Sequence, residues 1–452
     1  MGGLFGALQS SARALGVYGR ALSVVENNIT NAHTPGYVRQ ELELNPLPFD
    51  PGSGQTGGVV AGPLLSARSE FLEQTVRNQQ QRLGSAQQKA GDLAQVETIF
   101  DLTSSSGIAG ALSKLFTSFS QLSVNPHDAS SRQAVIDQAR VVAQSFHDAT
   151  VRLAEVWANV DQSTRGVVAE VNRLTQKIAA INALHRGDAA SSGDAGLDAN
   201  LHAALEELSG LADFTLVRTE DGAFNVYLGG QTPLVVGDHA FNIDLSFASG
   251  QTALLDSQAN DITAQITEGR LGGLLEEKNR LLPGYLGDLN TLAQALADNV
   301  NTLLSQGVDQ NGVTPSLNLF SYGLPDAAFT LGVTGITPDQ IAAALPSAPG
   351  GNGNAIALAR LGVSPAVNGF SFIQFFGNLG ARVGLDSSNA RQDQSQDQDL
   401  LAQARQFRSD ATSVSLNEEA AKLLQFQQAY QAVGKLVSVL DGLTQTVIEL
   451  IH

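Results

Sequence analysis

Cysteine is absent from the chain. Disulfides and thiolate metal sites are therefore excluded, and stability cannot depend on an oxidising compartment. Basic side chains are scarce: 26 Lys and Arg stand against 44 Asp and Glu, a formal net charge of −18. A surface of that sign repels phosphate backbones, so nucleic acid is not an expected partner. The opening MGGLFGALQSSAR has no basic stretch ahead of a long apolar run, and a cleaved signal peptide is not expected. The most tempting uncharged run, Leu361 to Ala381, contains Ser, Pro, Asn and Gln. It would make a poor membrane span, so membrane insertion is not expected. If the protein is secreted, it must use a route that leaves no cleaved signal.

Signs of catalysis are missing too. His33, His127, His147, His185, His202, His239 and His452 never fall three or four residues apart, and H-E-x-x-H does not occur. Solvated or capping histidines are the favoured reading over a zinc site. The run Gly52 to Gly58 lacks the Lys-Ser/Thr of a phosphate loop and reads as a flexible linker. Gly187 to Asp198 has Ala190 and Ser192 where an EF-hand needs oxygen ligands of the right kind. Asn28-Ile29-Thr30 matches a glycosylation acceptor but lies inside a helical pattern, so it reads as incidental. No G-x-S-x-G elbow occurs. The pairs Glu206-Glu207 and Glu276-Glu277 read as solvated helix faces. The expectation is a chain that is not an enzyme, with no catalytic, cofactor-binding or metal residues.

What is present is helical patterning. Hydrophobic residues make up 43% and charged residues 15% of the 452 positions, a globular balance long enough for two or three domains. Near the amino end, Leu4, Leu8, Ser11, Leu15, Tyr18, Leu22, Val25 and Ile29 alternate steps of four and three. That spacing keeps one narrow seam on one side of a helix. Gly16 and Gly19 weaken this helix, each by about 1 kcal/mol relative to Ala, so it needs a partner. Thr34-Pro35-Gly36 then reads as a turn, and Val38 to Leu44 as a short strand.

The carboxyl end answers with Leu416, Ala420, Leu423, Phe426, Tyr430, Val433, Val437, Leu440, Thr444, Val447 and Ile451. Ser415 and Glu418 have capping-box spacing ahead of it, and one three-residue slip, Leu423 to Phe426, reads as a stammer. Such seams also occur in ordinary bundles. Their placement at both ends favours an assembly interface, since chain termini are usually poor in seams.

Between the ends, helix is predicted over Phe71 to Phe100, over Ser130 to Leu184 as one or two elements entered through Asn125-Pro126, and from Asp261 to about Leu304. Phe214 to Phe247 alternates around Asp221-Gly222, a hairpin signal. Gly307 to Gly353 is rich in Gly and Pro, with a helical piece near Pro338 to Ala344. Asn354 to Leu361 and Gln392 to Phe407 read as helix.

The stretch Asn27, Asn28, Ile29, Thr30, Asn31, Ala32, His33, Thr34, Pro35, Gly36, Tyr37 resembles the turn that follows the first helix in bacterial flagellar axial proteins. Arg39-Gln40 extends the match towards members that join hook to filament. Further similarity lies at Asn125-Pro126 with Arg132 to Val135, at Val171-Asn172 with Ile178 to Asn182, and at Gly272 to Leu275 with Leu282-Pro283. Asp221-Gly222 to Gly229-Gly230 resembles a family hairpin. Leu416 to Ala421 and Phe426 to Tyr430 resemble the family's carboxyl-terminal signature. Departures are Asn417 in place of Asp, Thr412-Ser413 in place of Ser-Gly, a missing Asp-Gln-Arg near Leu201 to Glu207, and a short segment where many members insert an outer β domain.

The resemblance implies a mainly α fold with a smaller β part. The terminal helices pair as a coiled coil, and a central elongated helical domain carries β-hairpins. The expected segments are 1–50 and 409–452 for the paired ends, 51–306 and 354–408 for the centre with hairpins near 211–250, and 307–353 for a short outer insertion. The implied function is a structural subunit at the hook–filament junction, exported unfolded through the flagellar type III apparatus. Implied partners are further copies in a ring or tubular layer, the hook subunit, a second junction protein and a cytoplasmic export chaperone at the carboxyl-terminal region. Expected assembly residues are Leu4, Leu8, Leu15, Leu22, Val25, Ile29, Leu416, Leu423, Phe426, Tyr430, Val433, Val437, Leu440 and Val447, with Asn27, Asn28, Asn31, Thr34, Pro35, Gly36 and Tyr37 as the family turn. Another axial subunit, an enzyme on a flagellar scaffold and a free coiled-coil adaptor remain as alternatives.

Overall fold

The structure is a computed structural model and describes residues 2–50, 55–101, 107–187, 194–219, 222–247 and 251–449. In chain order it runs α1 (Gly2–Thr30), β1 (Gln40–Asp50), β2 (Gln55–Ser66), α2 (Glu70–Ile99), α3 (Ile108–Val124), α4 (Ala129–Gly187) and α5 (Ala195–Leu211). Short strands follow: β3 (Phe214–Arg218), β4 (Phe224–Leu228), β5 (Thr232–Val236), β6 (His239–Ala240), β7 (Asp244–Ser246) and β8 (Ala253–Leu255). Then come α6 (Gly269–Glu276), α7 (Leu282–Gln306), β9 (Phe320–Ser321), α8 (Ala327–Thr330) and β10 (Gly332–Val333). The chain closes with α9 (Gly353–Leu361), α10 (Phe372–Thr412) and α11 (Leu416–Glu449). The fold is mainly helical with a small β part, as the patterning implies.

Two compact units divide these elements: Met1–Arg82, Glu170–Ile243 and Asp397–His452 form one, and Leu83–Ala169 with Asp244–Gln396 form the other. The boundary expected after residue 50 falls inside a hairpin, because β1 pairs antiparallel with β2 from Gln40↔Ser66 to Asp50↔Gln55. Two readings are corrected here. The strand expected over Val38 to Leu44 begins at Gln40 and runs on to Asp50. The glycine run is not only linker: Gly57 and Gly58 sit in β2 at positive φ, where glycine adds no Cβ strain, while Pro51 to Gly54 lie outside the described residues.

In the first unit, β3 to β6 form an antiparallel sheet. Asp221 of the expected hairpin turn lies outside the described residues, but β3 and β4 pair on either side of it, Phe214↔Leu228 to Arg218↔Phe224. Two asparagines of α4 hold the backbone beside this sheet. Asn182 donates to the Phe224 and Gly237 carbonyls at 2.9 and 2.7 Å and accepts from the Phe224 N–H at 3.2 Å. Asn172 donates to the Ile243 carbonyl and accepts from its N–H, both at 2.9 Å. Side-chain amides suit this task because each supplies a donor and an acceptor to one peptide.

In the second unit, Asp128 caps the start of α4 by accepting from the Ser131 N–H at 2.9 Å. Arg132 donates to the Ile341 carbonyl at 2.6 Å. The Gly- and Pro-rich segment is thereby part of this unit's core, with Leu319, Phe320, Ala327, Ala328, Ile341 and Ala342 buried. The helical piece expected at Pro338 to Ala344 shrinks to one 3-10 turn, Pro338–Gln340.

Helix does not begin at Asp261, either: α6 starts at Gly269 and passes through a π-helical turn, Glu277–Leu281, before α7. Pro283, in the first turn of α7, offers no N–H to the ladder directly after this turn. The largest difference is α10, whose 41 residues start twenty residues ahead of Gln392.

Candidate assembly interface at the chain ends

The two terminal helices pack against each other, antiparallel. Asn28 of α1 meets Glu419 near the start of α11, and Tyr18 meets Phe426 further along with ring centroids 6.4 Å apart. Gly19 sits under the ring of Tyr430, which a Cβ there would touch at 3.9 Å. That is an ordinary van der Waals distance, so the pairing does not itself require glycine at position 19.

A second neighbour covers α1 about a quarter-turn or more away from this contact. Ser10 donates to the Gly57 carbonyl at 2.7 Å, and Asn28 reaches the Gln40 backbone at the opposite end, so the β1–β2 hairpin runs alongside the helix. On a helical wheel, at about 100° per residue, the predicted seam Leu4, Leu8, Leu15, Leu22 and Ile29 faces α11. Gly6, Ser10, Val24 and Asn28 face the hairpin. The buried residues Ala14, Ala21 and Val25 fall between these two lines. The seam leucines and Ile29 are only half-buried, because a single helix shields them from one side.

The seam on α11 needs one correction. Leu416, Ala420 and Tyr430 are exposed, and Glu419 is the only fully buried residue among those described on the helix. Starting from Glu419, the line Glu419, Leu423, Phe426, Tyr430, Val433, Val437, Leu440, Thr444 and Val447 steps by four and three without a break. The stammer vanishes. It arose from placing Leu416 and Ala420 in line ahead of Leu423, a choice that favours apolar residues over a buried carboxylate. Ile451 lies outside the described residues.

Glu419 is tolerated in the seam because the family turn partners it. Asn28, 1% exposed, donates to Glu419 Oε2 at 3.0 Å and to the Gln40 carbonyl at 2.8 Å. Its Oδ1 accepts from the Gln40 N–H and the Tyr37 hydroxyl, both at 2.9 Å. All four hydrogen-bonding positions of the amide are used. Burial, then the nearby Glu419 charge, pushes the Tyr37 hydroxyl up to about 12. Lys422 Nζ stands 3.8 Å from Glu419 Oε1 and 3.5 Å from Glu41.

The remaining turn residues shape the chain reversal. Asn31 donates to Asn27 Oδ1 at 2.7 Å, and Thr34 donates to Asn31 Oδ1 at 3.1 Å. Pro35 is exposed. Gly36 has φ +77°, and a Cβ there would lie 2.5 Å from the Ala199 carbonyl oxygen, so no other residue fits without movement.

The Gly36 carbonyl accepts from Arg68 at 2.7 Å, which opens an ionic cluster that the sequence did not signal. Arg68 also pairs with Glu73 and Asp198, at 2.5 and 2.7 Å. Arg408 bridges Glu73 and Glu206, at 2.9 and 2.7 Å, and Arg405 reaches Glu206 at 2.8 Å. The solvated reading of Glu206 is therefore wrong. Although burial alone would raise its pKa, the two arginines hold it below the usual value. Glu277 is likewise no solvated residue. It is buried within the π turn, and desolvation together with Asp92 raises it to about 10.

Outside the seam, α11 presents further apolar side chains to solvent: Leu436, Val439 and Leu443, three and four residues apart, form a short stripe on one flank, and Leu424 and Ile448 are exposed on the other. With Phe5 on α1 and Phe49, Val60, Leu64 and Leu65 on the hairpin, the terminal elements carry much exposed apolar surface. Surface of this kind marks interaction sites.

Residues 93–320 match the family model for the helical domain of flagellar hook-associated protein FlgK. The chain belongs to the FlgK family. Flagellar hook-associated protein 1 of Bacillus subtilis is 25% identical over 497 residues, covering 98% of this chain and 98% of that protein. The Salmonella typhimurium protein of the same name is 25% identical over 318 residues, covering 68% of this chain and 57% of its own length. Among solved structures, the flagellar hook junction protein FlgK from Burkholderia pseudomallei shares the fold. Its TM-score is 0.67 at 16% identity, over 75% of this chain and 99% of that one. The FlgK helical-domain match spans α3 and α4, whose Asn172 and Asn182 hold the sheet backbone.

Proposed function

We propose that this protein is a structural subunit of the bacterial flagellum at the hook–filament junction, and that it polymerises through its paired terminal helices and the hairpin beside them. Family membership supports the structural role. The observation that supports the mode of assembly is the uncovered stripe Leu436, Val439 and Leu443 on α11, with Leu424 and Ile448 exposed on its other flank. A helix with a half-shielded seam on one side and a bare apolar stripe on another is suited to packing against copies of itself, because each buried leucine or valine contributes roughly 1.5–3 kcal/mol.

The further partners follow from the same reading: the hook subunit at one end, a second junction protein at the other, and an export chaperone that masks α11 before assembly. Expected contacts are Leu423, Phe426, Tyr430, Val433, Val437, Leu440 and Val447 along α11, with Leu4, Leu8, Leu15, Leu22, Val25 and Ile29 along α1. Delivery would be by the flagellar export apparatus.

Electron microscopy of cells lacking this protein tests the function. Bare hooks, with filament subunits released into the medium and attachment restored by the intact chain, are the expected result. Normal filaments on the deletion strain would refute the junction role.

A further inference from the structure

The terminal elements carry charge as well as apolar surface, and its placement is uneven. Arg13 and Arg20 are the only cations on α1. Seven residues and about two turns apart, they share one edge of the helix. Both are exposed, and neither meets a carboxylate among the described residues. Other arginines of the same unit do: Arg39 pairs with Glu418, Arg68 with Glu73, and Arg77 with Glu70.

The complementary charge lies on a different element. Glu41 and Glu43 alternate along β1, so both project from one face of the strand, and both are exposed. Glu41 stands 3.5 Å from Lys422, and Glu43 forms no ion pair among the described residues. Exposed Leu65 lies opposite Glu41 in the ladder, and exposed Val60 lies further along β2.

We propose that the Arg13–Arg20 edge of α1 docks on the Glu41–Glu43 face of β1 in a second copy of this chain. The inference rests on the self-assembly reading above and adds its polarity. Copies that each carry a net charge of −18 repel one another, and cations at a contact between them offset part of that repulsion. Among the described residues, no ion pair within one chain joins Arg13 or Arg20 to Glu41 or Glu43. Two different patches can close a two-fold dimer when both pairs form at once, or extend when each subunit keeps one patch free for the next; the self-assembly reading above calls for the second, which builds rings or helical arrays. The apolar residues beside Glu41 would be covered in the same contact.

The chain has no cysteine, so cross-linking reads this contact without background. The Arg20→Cys, Glu43→Cys double variant, oxidised in isolated hook–filament complexes, should give a ladder of dimers and larger species on a non-reducing gel. Each single variant should stay monomeric. A monomer band alone from the double variant would overturn the proposal. In a second arm, Arg13→Glu with Arg20→Glu should lower filament attachment about tenfold, the equivalent of two exposed pairs. Adding Glu41→Lys and Glu43→Lys in the same chain should restore it; failure of that restoration, with each variant folded by circular dichroism, also counts against the contact. Attachment by the unmodified chain in the deletion strain is the separate check on the junction role.

Discussion

A single amide joins the family turn to the terminal helices. Asn28 spends its donors on Glu419 and Gln40 and its acceptor on Tyr37 and Gln40, so one side chain ties α1, the turn, β1 and α11 together. Replacing Asn28 by Ala would leave a buried carboxylate without its donor. The expected cost is about 3 kcal/mol, read as a lower denaturant midpoint for the unit holding the chain ends. Asn28→Leu combined with Glu419→Leu should lose much less, since both polar groups then leave together. Equal losses for the single and double variants would mean that the hydrogen bond is not what holds the site. The sequence revealed the Asn-rich turn but not this role. Patterning ranks residues by hydrophobicity, and a buried Glu in a seam looks like an off-seam position. Glu206 failed to show for a similar reason: its partners, Arg405 and Arg408, are about two hundred residues away in the chain.

At the scale of elements, regular apolar spacing was mostly readable, α3 being missed despite its buried line Ile108, Leu112, Leu115, Phe119 and Leu122, and polar seams were not. The terminal helices, α2 and α4 emerged close to their true bounds. Most of α10 did not, because its buried line runs Phe372, Phe376, Leu379, Val383, Ser387 and Ala390 among Gly, Asn, Gln and Asp. The π turn was equally hidden, since one widened turn within a helix leaves no periodic mark in the sequence. It carries a pH dependence. Glu277 ionises near 4.5 when exposed in the unfolded chain but is raised to about 10 in the fold, by burial first and then by Asp92. The folded state therefore holds a proton that the unfolded state releases. Stability from this group is complete below about pH 4.5 and falls as pH rises through that window towards 10. Glu277→Gln, which stays neutral, should flatten this slope. At pH 9 the variant should melt higher than the parent, while at pH 4 the two should nearly coincide. Parallel melting curves across that range would show that Glu277 does not titrate as its surroundings require.

For the whole molecule, the two units differ in how completely they bury what they carry. The second unit encloses Phe119, Phe146, Phe320, Phe372 and Phe376. The chain ends instead leave a helix of 34 residues with one fully buried position among those described. Most helical stability comes from packing an apolar face, so α11 gains little within one subunit. Division into these units was not legible from composition, because the segments of each alternate along the chain; only the family turn and the terminal seams hinted that the ends belong together. The consequence can be measured on the intact monomer. Backbone amides of α11 from Leu423 to Glu449 should exchange at least about a hundredfold faster than those of α4 around Val135 to Leu153, as expected for a segment that opens locally with little buried surface. On incorporation into the flagellum, the same amides should slow as neighbouring copies cover Leu436, Val439 and Leu443. If α11 is already as protected in dilute monomer as α4, its outer stripe is not awaiting a partner, and assembly through the chain ends would lose its energetic basis.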